Sequence, residues 1–323
     1  MNNKDYRPTL AQLRTFVTIA EKRHFGIAAA KLNISQPSLS QALAALESGL
    51  GVQLIERSTR KVIVTPIGAK LLPFAKATLE QANSFLSQAR GADGPLHGPL
   101  TIGIIPTAAP YLLPELLTLL YRDYPELEPR IVEDQTHYLE AMLRDGQIDC
   151  ALLATPVSRS GLESYSLYDE DFVIAVNDND ALAGRTDVTL SSLKQLQLLL
   201  LDDGHCLRDQ IIDLCRAAKT DPEDQSSTFT RATSLTTVLQ CVGAGFGSTL
   251  IPASALKAEG GRQGVAIARF APSVTAQRTM RLVYRSSSFR SEDFAALGKE
   301  ITRAYQATIS ATAEDRSEDS PSA

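Results

Sequence analysis

Two cysteines, Cys206 and Cys215, lie nine positions apart in a stretch that follows a turn at Gly204. If the residues after Gly204 form an α-helix, this spacing sets the two Cα atoms roughly 13 Å apart along the axis and on opposite faces. A disulfide requires Cα atoms about 5.5 Å apart. The two thiols can therefore join only if the helix unwinds, and an element with two such states can report a chemical event to a distant site.

Further polar groups occupy junctions at which a predicted strand leads into a predicted helix. These junctions are Thr107, Thr136 and the turn Gly204-His205-Cys206. Ligands of open α/β folds bind at such junctions, beyond the carboxyl ends of the strands. The two threonines lie side by side if their strands are neighbours, and the cysteine turn opposes them if a second lobe faces the first. The plainer interpretation is that both threonines only cap helices.

The other cysteines and histidines indicate no additional chemistry. Cys150 and Cys241 lie in apolar runs and are expected to be buried hydrophobic residues. His205, Cys206 and Cys215 could be metal ligands, but their spacing matches no common zinc pattern and a fourth ligand is not apparent. We therefore predict no metal and no other cofactor. Structural or exposed positions are expected for His24, His97 and His137.

Length and composition indicate a globular protein of two or three domains. The chain has 323 residues, 44% of them hydrophobic and 21% charged. No segment approaches the ~18 apolar residues of a membrane span, and the first ten residues lack the apolar core of a signal peptide. We expect a cytoplasmic protein without a membrane partner, not a secreted solute-binding protein. In that compartment paired cysteines more often do redox or metal chemistry than hold a fold together.

The charge is distributed unevenly along the chain. Residues 1–90 contain 12 Lys and Arg against 5 Asp and Glu, a net charge of +7, whereas the whole chain has a net charge of −5. A basic amino-terminal third on an acidic protein indicates a local contact with a polyanion.

Residues 1–65 have the pattern of a winged helix-turn-helix. Thr9 and Gln12 form a capping box, a short helix is predicted at residues 27–32, and Ser35 is an N-cap candidate for a third helix. The outer face of that third helix is polar and mostly uncharged, which suits hydrogen bonds to base edges and phosphates in a DNA major groove. The residues expected to contact DNA are Ser35, Gln36, Pro37, Ser38, Ser40 and Gln41.

A basic hairpin is predicted directly after this helix. Residues 54–57 and 61–64 can pair as two short strands, and their tip suits phosphates or the minor groove. The cations expected to contact DNA there are Arg57, Arg60 and Lys61. The alternative is a solvated bundle of three short helices, which the basic hairpin and the local charge disfavour.

Residues 66–91 predict a linker helix that mediates dimerisation. Apolar and small residues alternate at spacings of four and three, as in a helix-helix seam. Pro73 predicts a kink or a later start of the helix, and residues 92–99 have the composition of a hinge. The seam consists of Leu71, Ala75, Thr78, Ala82, Phe85 and Ala89.

Beyond the hinge, strands alternate with helices, a pattern that predicts an α/β domain with parallel sheets and helices on both faces. We expect a regulatory domain at residues 100–310. Its first lobe covers about 100–169 and 274–310, and its second covers about 170–273. Residues 311–323 are expected to be a disordered tail.

These features resemble the LysR-type transcriptional regulators, which have a winged helix-turn-helix, a linker helix and a regulatory domain like two-lobed periplasmic binding proteins. The helix-turn-helix motifs are Ser35-Gln-Pro-Ser-Leu-Ser40 and Leu46-Glu-Ser-Gly-Leu-Gly51. More narrowly, the chain resembles the peroxide-sensing subfamily. The stretches that carry this narrower resemblance are Gly204-His-Cys-Leu-Arg-Asp-Gln210 with Cys215, Ile105-Pro-Thr-Ala-Ala-Pro-Tyr-Leu-Leu-Pro114, Gln135-Thr-His137, Arg231-Ala-Thr-Ser-Leu235 and Arg278-Thr-Met-Arg-Leu-Val-Tyr-Arg285.

The resemblance implies that Cys206 reacts with hydrogen peroxide and that Cys215 resolves the product into a disulfide. A first-turn position beside His205 and Arg208 is expected to lower the pKa of the Cys206 thiol. The implied partners are promoter DNA, a second copy in a homodimer that assembles to a homotetramer, and RNA polymerase as a further candidate. The residues implied to form or support the peroxide pocket are Thr107, Thr136, His205, Gln210 and Arg278.

Two other functions remain open at this point. A regulator of the same build could bind a small organic effector in the cleft, with incidental cysteines. A thiol peroxidase could use the same cysteine chemistry, although an enzyme has no use for residues 9–64 as interpreted here. We therefore expect a regulator and not an enzyme.

Overall fold

The fold is a computed structural model that describes residues 6–57, 62–89, 95–157, 160–219 and 232–318. Contacts divide the chain into two compact units. The first comprises residues 1–94 with the short segments 144–147 and 287–289, and the second comprises the remainder. None of the helices in the described ranges is long and apolar enough to cross a membrane.

The first unit begins with three helices, α1 (Leu10–Lys22), α2 (Phe25–Lys31) and α3 (Gln36–Leu50). The capping box of Thr9 and Gln12 is present, and the Ser35 side chain accepts a hydrogen bond from the Ser38 amide at the start of α3, so both sequence predictions are confirmed. Strands β1 (Ile55–Arg57) and β2 (Val62–Val64) form the expected antiparallel hairpin. Leu39, Leu43 and Leu46 of α3 are buried in the core of this unit.

Helix α4 (Pro66–Ala89) follows the hairpin as one helix that contains Pro73, so the expected later start is wrong. The predicted seam needs correction as well. Ala75 is buried in the core of the winged helix-turn-helix, and the partly buried Leu71 packs against that core, so neither lies on the exposed face of the helix. Large side chains remain exposed on another face, namely Ile67, Phe74 and Phe85. Their spacings of seven and eleven residues place them on one side of the helix.

The second unit begins with β3 (Gly98–Ile104), α5 (Ala109–Asp123), β4 (Leu127–Glu133), α6 (Thr136–Arg144) and β5 (Cys150–Leu153). It continues with β6 (Leu162–Asn177), α7 (Cys206–Ala217), α8 (Leu235–Gly243), β7 (Thr249–Pro252), α9 (Leu256–Glu259), β8 (Val265–Ala268), β9 (Gln277–Arg285) and α10 (Ser291–Glu318).

The strands of the second unit run in the order β4-β3-β5-β9-β6-β7, and β8 also pairs with β6. Strand β3 is parallel to β4 and β5, but β9 pairs antiparallel with both β5 and β6. The expectation of parallel sheets is therefore only partly correct. The chain returns from the second lobe as a strand, β9, that inserts between β5 and β6, and this long-range pairing has no local signal in the sequence.

Two separate hydrophobic cores define two lobes within this unit. We call the part around β3, β4, β5, α5 and α6 lobe I, and the part around β7, β8, α7 and α8 lobe II. Strand β6 runs from one to the other: residues 162–171 pair with β9, and from Phe172 onward the strand pairs with β7. The two-lobed α/β architecture expected from the sequence is thus confirmed.

Helix α10 packs on lobe I and extends to Glu318, into the segment that the sequence predicts to be disordered. Five of the eight residues 311–318 are alanine, glutamate or arginine, which favour a helix that has already been nucleated. Residues 319–323 lie outside the described residues. Composition alone does not distinguish a polar helix end from a disordered tail.

Candidate redox site

Helix α7 contains both cysteines, as the spacing predicted. It begins at Cys206, its N-cap is His205, and it continues through Cys215. Cys206 is 6% exposed and packs with the core of lobe I, whereas Cys215 is 0% exposed and packs with the core of lobe II. No disulfide joins any two of the four cysteines, all of which belong to the described residues.

Cys206 lines a narrow cavity between the two lobes. The cavity is too narrow to admit a water molecule, so a ligand can enter only if side chains move. Parallel pairing of β3 and β4 brings the loops after both strands to the same edge of the sheet, and the α7 turn faces them. The lining residues are Ile105, Pro106, Thr107, Gln135, Thr136, Gly204, His205 and Cys206.

Thr107 is held by Arg278, which comes from β9. The guanidinium donates to Thr107 Oγ1 from Nη1 at 2.9 Å and to the Thr107 carbonyl oxygen from Nη2 at 3.0 Å. Both side chains are buried. Because Thr107 Oγ1 accepts a hydrogen bond from Arg278, the hydroxyl keeps its own proton as a donor, and Thr107 lines the cavity.

Thr136, the first residue of α6, faces the Cys206 sulfur and favours the thiolate. Its buried hydroxyl has no hydrogen-bond partner, so it is a donor close to the sulfur that is not yet engaged in a hydrogen bond. Ala108 occupies the N-cap position of α5. The interpretation that Thr107 and Thr136 only cap helices is therefore wrong.

Burial raises the pKa of the Cys206 thiol above its ordinary value, and this effect exceeds the opposing ones. The positive charge of Arg278 and the Thr136 hydroxyl lower the pKa, whereas the negative charge of Asp209 raises it. The expected net lowering by His205 and Arg208 is wrong. Arg208 instead forms an ion pair with Asp203, with 3.0 Å between Nε and Oδ1.

Burial also lowers the pKa of His205, so its imidazole is neutral at neutral pH. Its Nε2 atom is buried and has no hydrogen-bond partner. Together with Thr136 Oγ1, the cavity wall thus contains two buried polar atoms without partners. Such atoms are costly to leave unsatisfied, and a small polar ligand in the cavity would satisfy them.

Gln210 was also predicted to form or support the pocket, but it does not line the cavity. It follows Cys206 by one helical turn, and its Nε2 donates to the carbonyl oxygen of Ala154, just beyond β5, at 2.9 Å. Gln210 therefore links α7 of lobe II to lobe I. Its buried Oε1 atom has no partner.

Glu170 is the residue that sequence reasoning missed. Its carboxylate accepts from Arg278 Nε at 2.8 Å, and it is 1% exposed. A signal exists in the sequence: Tyr168, Glu170 and Phe172 alternate along β6 and so share a face, and both neighbours are large aromatic residues. A carboxylate on such a face needs a buried partner. The identity of that partner, however, follows only from the strand pairing.

The candidate DNA surface lies on the first unit. Exposed side chains of α3 include Gln36, Pro37, Ser38 and Gln41, whereas Ser40 is half-buried. Ser35 is exposed, and its hydroxyl lies 2.8 Å from that of Ser38. The Glu47 carboxylate accepts from the amides of Leu54 and Ile55, which fixes the hairpin relative to α3. Arg60 and Lys61 lie outside the described residues, and only the backbone of Arg57 is described.

Other predicted roles can be assigned as well. His24 is structural, because its Nδ1 caps α2 by accepting from the Ile27 amide at 3.2 Å. Cys150 is fully buried, which raises the pKa of its thiol well above the ordinary range. Across the described ranges, no group of three or more His, Cys, Asp or Glu residues is arranged to hold a metal ion.

A winged helix-turn-helix on one unit and a buried thiol between two lobes on the other define a DNA-binding regulator with a sensory domain. Residues 10–69 match the model described as bacterial regulatory helix-turn-helix protein, lysR family, and residues 93–306 match the LysR substrate binding domain. The chain is 48% identical over 301 residues to a probable hydrogen peroxide-inducible genes activator of Mycobacterium leprae, covering 93% of this chain and 96% of the relative.

Solved structures agree with this grouping. The chain is similar to the H2O2-bound form of a cysteine-to-serine mutant of Corynebacterium glutamicum OxyR, with 60% identity, a TM-score of 0.69 and 97% of each chain covered. It is also similar to full-length Pseudomonas aeruginosa OxyR, with 32% identity, a TM-score of 0.78 and coverage of 92% of this chain and 98% of that one. The chain belongs to the LysR family of transcriptional regulators, in its OxyR subfamily.

Proposed function

We propose that the protein senses hydrogen peroxide through Cys206 and converts the event into changed promoter binding by forming a disulfide with Cys215. The observation that carries this proposal is the position of the Cys206 thiol. It lines a narrow, closed cavity between the lobes, near hydroxyl donors and a buried arginine, on a helix whose other end holds Cys215. The names of the similar proteins reported above also support hydrogen peroxide as the signal.

In the first step the Cys206 thiolate attacks one oxygen of the peroxide and the O–O bond breaks. The sulfur becomes a sulfenic acid, and the other oxygen leaves as hydroxide and is protonated to water. Negative charge grows on that departing oxygen. The hydroxyls of Thr107 and Thr136, with Arg278 behind Thr107, are placed to donate to it and to hold the peroxide in line with the sulfur.

In the second step the Cys215 sulfur attacks the sulfenic sulfur, which releases a second water molecule and forms the disulfide. The two-electron oxidation of the two thiols thus balances the reduction of one peroxide to two water molecules. With α7 intact the Cα atoms of Cys206 and Cys215 are roughly 13 Å apart. The helix must therefore unwind between them, and at least one cysteine must leave its core.

The output of this change would be altered DNA binding by α3 and the hairpin. We propose a homodimer formed through the exposed face of α4 that contains Phe74 and Phe85, with two dimers forming a tetramer. Oxidation would change the arrangement of the subunits and hence the spacing of the recognition helices on promoter DNA. RNA polymerase at the same promoter is a further proposed partner. The proposed location is the cytoplasm, where the promoter DNA is.

The test compares Cys206→Ser with Cys241→Ser, a matched loss of a thiol on α8. Promoter footprints are recorded before and after one equivalent of peroxide. We expect Cys241→Ser to keep the peroxide-dependent change in the footprint, whereas Cys206→Ser binds DNA in the reduced manner under both conditions. An unchanged peroxide response in Cys206→Ser would refute the proposal.

Mass spectrometry of the oxidised protein separates this function from its alternatives. A peroxide sensor yields a peptide pair linked through Cys206 and Cys215, whereas a regulator of a small organic effector yields no such link at stoichiometric peroxide. A thiol peroxidase would in addition turn over peroxide continuously with a reductant, at about 1 per second or faster. A sensor reacts once and is then slowly reset.

A further inference from the structure

Arg278 and Glu170 form a buried ion pair next to the redox site. They face each other on the antiparallel strands β9 and β6. The side chains are 0% and 1% exposed, and Glu170 Oε2 lies 2.8 Å from Nε and 2.7 Å from Nη2 of Arg278. Both residues are removed from water, so each depends on the other for compensation of its charge.

The ion pair uses one edge of the guanidinium and leaves the other for Thr107. Nε and Nη2 face Glu170, whereas Nη1 donates to Thr107 Oγ1 and Nη2 also donates to the Thr107 carbonyl oxygen. The guanidinium is planar and rigid, so fixing the Nε–Nη2 edge fixes the direction of the adjacent Nη1–Nη2 edge. Glu170 therefore determines how the positively charged guanidinium of Arg278 is oriented relative to Thr107 and the cavity.

Glu170 is itself held from lobe II. Its Oε1 accepts from the backbone amide of Ser254 at 3.0 Å, in a short 3-10 helix of residues Ala253–Ala255 that follows β7. Two residues beyond Glu170, Phe172 pairs with Pro252 and β6 enters lobe II. The carboxylate thus joins backbone from lobe II to the arginine that orders Thr107 of lobe I.

We propose that Glu170 is a positioning residue for the reaction of Cys206 with peroxide: it orients Arg278 toward Thr107 and limits the positive charge that the Cys206 sulfur experiences. This inference rests on the proposed function, because it assumes that peroxide is the oxidant. Glu170 lines no part of the cavity and touches neither sulfur nor peroxide, so its role is indirect.

Several charged or titratable groups act on this pair and on the thiol. Arg278 interacts electrostatically with Glu170, Cys206 and Tyr168. Besides burial and Arg278, the groups that influence the pKa of the Cys206 thiol are the Thr136 hydroxyl, the Asp209 carboxylate and the Leu207 amide. Among these groups, Glu170 is the negative charge in direct contact with Arg278. If the negative charge of Glu170 is removed, the positive charge of Arg278 is less compensated and stabilises the Cys206 thiolate more strongly.

The test uses Glu170→Gln, which removes the charge and nearly keeps the shape. The rate of Cys206 oxidation is measured against pH by stopped flow, and the thiolate is followed separately by its ultraviolet absorbance, with Cys206→Ser as blank. For Glu170→Gln we expect the thiol to titrate at lower pH than in the parent. Once Cys206 is fully ionised, we expect the rate to be about tenfold to a hundredfold lower, because Arg278 is less well aimed.

Two further variants keep the result interpretable. Glu170→Asp retains the charge and should titrate like the parent while losing part of the rate. Glu259→Gln is a matched control, because Glu259 is also buried and paired with an arginine, Arg262, but does not contact Arg278. It should leave both the titration and the rate of the thiolate unchanged.

If Glu170→Gln only lowers the melting temperature and leaves the titration and the rate of the thiolate as in the parent, Glu170 is merely structural and the proposal is overturned. If Glu170→Gln does not fold, Glu170→Asp decides: a parent-like rate overturns the proposal, and a reduced rate at unchanged titration supports it. If the parent Cys206 does not react with peroxide, the proposed function fails instead. The thiolate titration still tests the charge effect of Glu170, because it requires no peroxide.

Discussion

Cys206 and Cys215 lie on one helix, α7, but their side chains pack into different hydrophobic cores. Cys206 belongs to the core of lobe I, and Cys215 to the core of lobe II with Leu207, Ile211 and Ile212. Helix α7 therefore bridges the lobes while both thiols are reduced. A bond between the two sulfurs is incompatible with that arrangement, because the bond removes at least one cysteine from its core.

Unwinding of α7 on oxidation is the first prediction. In the reduced protein the backbone amides of residues 210–217 should be protected from hydrogen exchange, and in the disulfide form their protection should fall at least about a hundredfold, since a disulfide and an intact helix exclude each other. Cys215→Ser is the matched control, because peroxide leaves it as a sulfenic acid with α7 intact. Full protection in the disulfide-linked protein contradicts the mechanism.

Gly204 is predicted to support the reaction of Cys206, because Gln135 of lobe I lies against it. Gly204 has a φ of +90°, and a Cβ atom there would force the flexible end of the Gln135 side chain to move. We expect Gly204→Ala to slow oxidation of Cys206 about tenfold, since the strained turn and the displaced Gln135 both alter the cavity wall. The measurement is stopped-flow oxidation by peroxide.

Gly184→Ala is the control for backbone strain alone. Gly184 also has a positive φ, +76°, but open space where a Cβ would lie. Both variants should lose about 1 to 2 kcal/mol of stability, and only Gly204→Ala should lose reaction rate. Equal rates in the two variants would show that Gln135 and Gly204 do not control the site.

The raised pKa of Cys206 predicts a rate of oxidation that climbs with pH. The thiolate is the nucleophile, and a thiol pKa above the ordinary value keeps the thiolate a minor species at neutral pH. Each pH unit should therefore raise the rate about tenfold until the pKa is reached. A rate that stays level from about pH 7 to about pH 8 would contradict this prediction.

Asp209→Asn tests a smaller contribution to that shift. Burial is the largest cause of the raised pKa of Cys206, and the negative charge of Asp209 raises it further, so removal of that charge should increase the rate at neutral pH. Asp213→Asn is the matched control one turn further along α7, because Asp213 is exposed and is not among the charges that shift Cys206. It should react like the parent at each pH.

Dimerisation through α4 is predicted to depend on Phe74 and Phe85, which are 71% and 73% exposed. Burial of an aromatic side chain contributes about 1.5 to 3 kcal/mol. The double variant Phe74→Ser and Phe85→Ser should therefore weaken the dimer at least about a hundredfold in sedimentation measurements. Tyr138→Ser removes an exposed aromatic residue from α6 of the second unit and should leave the dimer intact. A parent-like dimer in the double variant would rule out this face.

Local patterns in the sequence determined the helix starts and the strand pairing of the winged helix-turn-helix. The capping box at Thr9, the N-cap at Ser35 and the antiparallel pairing of β1 with β2 follow from contacts within a few residues, and the structure has them as predicted. The opposed positions of Cys206 and Cys215 follow from helical geometry in the same way. These features required no knowledge of the rest of the molecule.

The tertiary structure decided the electrostatics and the supporting residues of the site. The pKa of the Cys206 thiol depends on how much water the folded lobes exclude, and the sequence suggested the opposite direction. Glu170 meets Arg278 only because β9 returns beside β6, more than a hundred residues later. Likewise, α4 turns Leu71 and Ala75 inward and leaves Phe74 and Phe85 outside, because the winged domain packs on one of its faces. Burial and long-range pairing are properties of the whole fold, whereas spacing and capping are properties of a short stretch of chain.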